Sequence, residues 1–252
     1  MFQYVYCDSK QFSEHSHING YELDKCLSCS LLQTRVHDRS RRDFIDNQYD
    51  NAYAIERRQD QLKLDRRFSK HLSLITRLKR TGRLLDVGCG VGYFLKYFYK
   101  AHPDWKLFGV EPSSILREVA NENVNIKVNY GILNKIPYKG NFFDVVTCYD
   151  VLEHSTNIKS NLAELKRVLK REGILLVQAP NYQSLMAYLT GSKWDWWGVP
   201  DHVIHFSHHT LCKILEDNGF KVIISYTYDD QEDYISNLKG VFSKSLLTKI
   251  LY

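Results

Sequence analysis

Leu84-Leu85-Asp86-Val87-Gly88-Cys89-Gly90-Val91-Gly92-Tyr93-Phe94-Leu95 is the stretch that decides the architecture. A short apolar strand runs into an acidic residue, then into glycines at alternate positions, then into an apolar-periodic segment that predicts a helix. Glycine at positions 88, 90 and 92 lets the backbone turn tightly at the carboxyl end of a strand, and lets a ligand approach main-chain atoms that a Cβ would shield. The binding surface of such a loop is its backbone.

Working outward, strands are expected near 84–87, 106–110, 126–129, 143–149, 173–179 and 221–226, with helices between them. The alternation predicts an α/β fold: a Rossmann-like, doubly wound, mainly parallel sheet with right-handed crossovers. Leu162, Leu165, Val168 and Leu169 follow the 3.6-residue period, and Gly173 is expected to close the turn after that helix. Residues 44–80 read as helical through Leu62, Leu64, Phe68, Leu72, Leu74, Ile75 and Leu78, a helix expected on the sheet edge. The first 36 residues are dense in Cys, His and polar side chains without a strong period, and read as a small separate module. The expected domains are therefore a Cys/His-rich module at 1–36, a helical lid or linker at 37–82, a ligand-binding domain at 83–228 with an insertion at about 181–206, and a C-terminal helical segment at 229–252. In that last segment Val241, Leu246, Leu247, Ile250 and Leu251 form an apolar stripe, which docks on the protein's own core or contacts a partner or membrane surface.

Composition sets the class. The 252 residues, 44% hydrophobic and 25% charged, suit a globular chain with a sizeable core. A net charge of +5 with scattered basic residues gives no strong nucleic-acid signal. There is no apolar run long enough to cross a bilayer, and the opening Met1-Phe2-Gln3-Tyr4-Val5-Tyr6 lacks the features of a secretion signal. The six cysteines do not form a secreted disulfide framework, so reduced thiols and a cytoplasmic location are expected.

A dinucleotide fingerprint counted from Gly88 needs its third glycine at position 93, which is Tyr93. The stretch instead resembles the first motif of class I S-adenosylmethionine-dependent methyltransferases, an acidic residue followed by Gly-x-Gly-x-Gly, matched by Asp86, Gly88, Gly90 and Gly92. The resemblance extends over roughly residues 80–226. Glu111, ending the strand at 106–110, fills the family's ribose position; Leu152-Glu153-His154 resembles its "LEH" segment. Pro200-Asp201-His202 and the later Gly219-Phe220 resemble the subgroup with a Pro-x-His tail.

The resemblance implies S-adenosylmethionine as cofactor. Asp86 would face its ammonium, backbone N–H groups at the next helix start its carboxylate, and Glu111 its ribose hydroxyls. Adenine would lie across Pro112, Ile132 and Leu133, with Tyr149 and Asp150 lining the methionine side. The alternative for each glycine is turn geometry alone. Relatives carry an acidic side chain for the adenine amine where this chain has Ile132, so backbone groups or Asn134 must serve.

On the acceptor side, Trp194, Trp196 and Trp197 crowd into the insertion after the fifth strand, as a packed core, an acceptor-stacking surface, or both. An oxygen acceptor must lose a proton, and histidine is suited to take it near neutral pH. His202 and His205 are the catalytic candidates, with His202 preferred for its place in the Pro-x-His pattern; His154 is third, with packing or capping as its expected role. At the other end of the chain, Cys26-x-x-Cys29 has zinc-ligand spacing and Cys7 precedes it. The layout resembles a small zinc-binding module that precedes some sugar and natural-product methyltransferases, whose first cysteine corresponds here to Tyr4. Either a histidine completes the site with Cys7, Cys26 and Cys29, or the metal has been lost. The expected function is O-methylation of a small acceptor such as a sugar or nucleotide sugar, with structural zinc as a second cofactor only if the N-terminal module retains its metal. The rivals are a catalytically degenerate binding protein and a nicotinamide-dependent sugar oxidoreductase, the latter disfavoured by Tyr93.

Overall fold

The structure, a computed structural model, describes residues 6–7, 9–35, 61–122 and 125–228. The expectations for 44–60 and for the C-terminal stripe at 241–251 lie outside the described residues. In chain order the strands are β1 (Phe12–Ile18), β2 (Tyr21–Cys26), β3 (Leu32–Thr34), β4 (Arg83–Val87), β5 (Lys106–Val110), β6 (Ile126–Asn129), β7 (Phe143–Tyr149), β8 (Leu169–Gln178) and β9 (Ile204–His205). The helices are α1 (Gln61–Leu78), α2 (Tyr93–Ala101), α3 (Ser114–Asn121), α4 (Ile158–Val168), α5 (Leu185–Thr190) and α6 (His208–Asp217), with single 3₁₀ turns at Leu152–His154, Gly191–Lys193 and Asp195–Trp197. The chain divides into two compact units: a first of Met1–Asp38, Leu152–Lys159 and Ala179–Tyr252, and a second of Arg39–Val151 and Ser160–Gln178.

The second unit carries a five-stranded parallel sheet in the order β6-β5-β4-β7-β8. Its middle strands read as near-continuous apolar runs because helices cover both faces. Leu84, Leu95, Phe98 and Val145 are fully buried in one core with Phe68, Ile75 and Leu107. Each such side chain contributes about 1.5–3 kcal/mol relative to exposure. Helix α1 joins this core through Phe68 and Ile75, and the Phe68 ring lies 5.2 Å from that of Phe94 on α2.

Two expectations are corrected. Gly173 does not close a helix, because α4 passes directly into β8 at Leu169. The β7–β8 register jumps between Phe143↔Leu169 and Val145↔Ile174, and Gly173 lies in that bulge, where a Cβ would come within 2.6 Å of Leu169 Cγ. Residues 221–226, expected as the sixth strand, belong to no ladder among the described residues. Ile223, Ile224 and Tyr226 are all exposed. Strand propensity is realised only where a partner strand and a buried face are supplied.

The first unit is built on an antiparallel sheet in the order β1-β2-β3-β9. Asn19 and Gly20 take positive φ (48° and 83°), the geometry of a tight two-residue hairpin between β1 and β2. Asp24, wholly buried on β2, is held by a two-pronged Arg35 contact with Nε and Nη2 each 2.7 Å from a carboxylate oxygen. The N-terminal segment does not stand alone: β3 pairs with β9 through Leu32↔His205 and Gln33↔Ile204. Ile18, Leu23 and Leu32 share a core with Met186, Ala187, Trp194 and Trp197. Two of the three clustered tryptophans thus serve as core, with Trp196 partly buried against them.

Gly109 on β5 tests how tightly the second unit is packed, since a Cβ there would lie 2.6 Å from Cys89 Sγ, 2.9 Å from Val128 and 3.1 Å from Leu95. Gly109→Ala is expected to cost about 1–3 kcal/mol through overpacking, outweighing the roughly 0.5–1 kcal/mol gained by removing a strand glycine. Urea unfolding should show a lower midpoint with an unchanged slope.

Candidate active site

The end of β4 leads into the glycine turn. Gly88, Gly90 and Gly92 have φ of 73°, 53° and 75°, a region that side-chain-bearing residues rarely occupy. Main-chain N–H groups of Gly88 and Cys89 donate to Val110 O, at 2.8 and 3.2 Å, tying the turn to the end of β5. The glycines then differ in what surrounds them. A Cβ on Gly88 would strike Val151 at 2.5 Å, and one on Gly92 would press on Ala120 at 3.1 Å, so both serve packing. A Cβ on Gly90 would meet nothing within 4 Å, which leaves its backbone open to a ligand. Helix α2 starts directly after the turn, and no side chain caps its N-terminus.

Two carboxylates flank this turn. Asp86 is buried and accepts a 2.6 Å hydrogen bond from Thr147 Oγ1. Glu111 is buried and accepts from the N–H groups of Gly90 and Ser113, both at 2.9 Å. Burial pushes the Asp86 carboxyl up to about 7, against the Thr147 hydrogen bond, and the Glu111 charge pushes the same way. Burial likewise raises Glu111, opposed by the N–H groups of Ser113 and Gly90 and the charge of Arg117. Two desolvated acids side by side suit a cationic ligand, which restores the interactions lost with water.

The remaining cofactor candidates belong to the same unit. Pro112 follows Glu111, and its carbonyl accepts from Arg117 at 2.9 Å. Ile132 is exposed and Leu133 half-buried in a tight turn closed by Lys135 N–H to Ile132 O at 2.9 Å. At the end of β7, Tyr149 stacks on His71 of α1 with centroids 4.5 Å apart. Asp150 adopts φ 54°, and both its backbone N–H and its side chain bond Gln178 at 3.0 Å. Thr147, His71 and Gln178 were not singled out in the sequence. Thr147 alone carried a signal, as a polar residue inside an apolar strand.

His202 and His205 lie in the first unit in different settings. His205 is 4% exposed, and its Nε2 is 2.8 Å from Thr34 Oγ1. That hydroxyl spends its proton on His202 O, so the imidazole N–H must be the donor to Thr34. Burial, with the neighbouring His202 and His15, lowers the His205 pKa to about 3. The His205 ring packs edge to face with that of Trp197, centroids 5.3 Å apart. His202 is only half-buried, and its Nδ1 lies 3.0 Å from Trp196 O. His154 Nδ1 lies 3.1 Å from Asp201 O, and the two rings meet edge to face with centroids 4.9 Å apart.

Cys7, Cys26 and Cys29 come together, with sulfurs within 4.8 Å of one another and Cys7 to Cys26 at 3.3 Å. Burial opposes ionisation of Cys26, but N–H groups of Cys29 and Ser28 and the Cys7 and Cys29 thiols outweigh it and lower its pKa. Burial instead pushes Cys29 up to about 12. Among the described residues no histidine joins these sulfurs. His17 faces Glu14 at 3.3 Å, and His15 lies edge-on to Tyr182.

The strand order, the glycine turn and the paired carboxylates define a class I methyltransferase fold, whose expected cofactor is S-adenosylmethionine. Residues 55–224 match the methyltransferase-domain family, and the chain belongs to it. An uncharacterized methyltransferase of Schizosaccharomyces pombe is 34% identical over 123 residues, 44% of this chain and 44% of its own. A ubiquinone biosynthesis O-methyltransferase of Actinobacillus pleuropneumoniae is 30% identical over 118 residues, 42% of this chain and 49% of its own. The chain thus spans less than half the length of either relative. A methyltransferase structure from Thermotoga maritima shares the fold at TM-score 0.54 and 23% identity, covering 68% of this chain and 79% of that one.

The pKa of Asp86 gives cofactor binding a pH signature. Between its ordinary value of 3.8 and about 7 the folded chain keeps a proton that the unfolded chain has lost, so this group's contribution to stability falls as pH rises through that window. A cation beside Asp86 favours the ionised form. Affinity for S-adenosylmethionine is therefore expected to rise with pH up to about 7 and then level off, with proton release at pH 6. Calorimetry in two buffers of different ionisation enthalpy should detect the release in wild type and not in Asp86→Asn.

Proposed function

We propose that the protein is an S-adenosylmethionine-dependent O-methyltransferase acting on a small hydroxyl-bearing acceptor, sugar-like in size and polarity. The observation that carries this reading is the buried Asp86 and Glu111 pair beside the open Gly90 backbone. The cofactor supplies, when bound, a methyl group already activated on a sulfonium. The chain has to hold the cation, orient it and remove the acceptor's proton. Asp86 and Glu111 hold, the Gly90 backbone admits close approach, and Tyr149 and Asp150 shape the strand ends. An oxygen acceptor agrees with relatives described as O-methyltransferases, one in ubiquinone biosynthesis and one acting on malonyl-[acyl-carrier protein]. An acceptor screen for methyl incorporation, covering nucleotide sugars, quinone precursors and small phenols, tests the reading. Nicotinamide binding with no response to S-adenosylmethionine would overturn it.

We assign activation of the acceptor hydroxyl to His202, whose half-buried ring contrasts with enclosed His205. His202→Ala is expected to reduce turnover by roughly 10²–10⁴-fold with cofactor affinity nearly unchanged. His205→Ala should act through stability, because it removes the Thr34 bond from a two-residue strand. Comparing turnover with the unfolding midpoint separates the two residues.

We further propose that Cys7, Cys26 and Cys29 bind a structural zinc ion, supported by three converging sulfurs and by N–H donors that favour the Cys26 thiolate. Cys26→Ser should lower the zinc found by elemental analysis by about one equivalent. A fully folded wild-type protein whose zinc content does not respond to that change would refute the site.

A further inference from the structure

Glu153, His154 and His202 are brought together within the first unit by a 3₁₀ turn and a loop far apart in sequence. One ligand-capable atom from each lies within 4.8 Å of the others. The surroundings fix the two rings. His154 Nδ1 sits 3.1 Å from Asp201 O, and His202 Nδ1 sits 3.0 Å from Trp196 O. A carbonyl only accepts, so each Nδ1 carries the proton and each Nε2 keeps its lone pair. A carbonyl behind each imidazole is the arrangement that orients metal-binding histidines and settles their tautomer. Gly198 completes it: φ is 54°, its carbonyl accepts from the N–H groups of Asp201 and His202, and a Cβ there would strike the His202 ring at 2.5 Å. That loop therefore needs glycine for the ring to occupy its place. Glu153 is 1% exposed, and its backbone carbonyl accepts from Val203 N–H at 2.8 Å, which ties the turn to the strand that ends at His205.

We propose that Glu153, His154 and His202 bind a divalent first-row transition-metal ion. Two imidazoles and one carboxylate suit zinc, cobalt, manganese or ferrous ion better than calcium or magnesium, which prefer all-oxygen shells. Three protein ligands leave a position open for water or an acceptor oxygen, the pattern of catalytic rather than structural ions. An ion there lowers the pKa of a bound hydroxyl, whose proton then passes to solvent, and His202 acts as ligand rather than as the base itself. This role rests on the methyl-transfer reading. Ion binding does not.

The test reads binding alone. Cobalt(II) is titrated into reduced, metal-free full-length protein and followed by visible absorption. Cobalt at the three cysteines carries sulfur-to-metal charge-transfer bands; cobalt at Glu153, His154 and His202 gives ligand-field bands without them. Wild type is expected to show both components. Glu153→Gln, His154→Ala and His202→Ala should each remove the sulfur-free component and keep the charge-transfer bands, whereas Cys26→Ser should do the reverse. Gly198→Ala, which displaces a ligand without deleting one, should weaken the sulfur-free component by roughly 10–100-fold. His154→Ala keeps the test open if loss of the buried Glu153 charge impairs folding. A folded wild type without a sulfur-free component, or one whose component survives in the folded ligand variants, overturns the proposal whatever the protein methylates.

Discussion

The backbone turn between β4 and α2 is the constraint on which the second unit depends. Three residues in the left-handed region within five positions reverse the chain so that its N–H groups point at the end of β5 and at the Glu111 carboxylate. Once that geometry is set, Asp86 and Glu111 are drawn out of water at the same end of the sheet. Their hydrogen bonds come from Thr147 and from main-chain N–H groups, which orient the acids without neutralising them. Desolvated acids of this kind favour a positively charged partner. The glycines differ in their surroundings: a Cβ would strike Val151 at Gly88 and press on Ala120 at Gly92, and Gly90 faces open space.

The first unit works by a different rule. Its sheet is small, and its stability comes from tryptophan and aliphatic side chains contributed by distant segments. Two buried polar groups inside it are tied down by side chains: Asp24 by Arg35, and His205 by Thr34. Thr34 joins β3 to the loop as well as to β9, its hydroxyl donating to His202 O at 2.8 Å while contacting the His205 ring at 2.8 Å.

What the sequence disclosed follows the strength of local signals. Strands 106–110, 126–129 and 143–149 fall where their apolar runs place them, because strands buried on both faces carry a dense hydrophobic signal. The glycine turn was equally legible, since glycine spacing acts through backbone geometry that needs no tertiary context. Less visible were β1 and β2, whose exposed faces dilute the alternation; Asn19-Gly20 was the hairpin signal that could have revealed them. The stretch 221–226 had strand-like residues yet joins no sheet among the described residues, and nothing local to it records that. The gathering of Glu153 and His154 with His202 was hidden for the opposite reason. It is created by pairing between distant segments, which spacing along the chain does not encode.

The pairing of β3 with β9 also bears on the order in which the molecule can be made. Chains emerge from the ribosome N-terminus first, at about 5–20 residues per second. Every strand of the parallel sheet is contained in 83–178, so that sheet has all its members before Ile204 has been synthesised. The β1–β2 hairpin has to wait, with Leu23 and Leu32 lacking the tryptophans that cover them until residues 194–197 have been made. During that interval its apolar residues and the free edge of β3 are the parts of the nascent chain most open to mispairing. That edge is covered only when residues 204–205 have been added and β9 can pair with it.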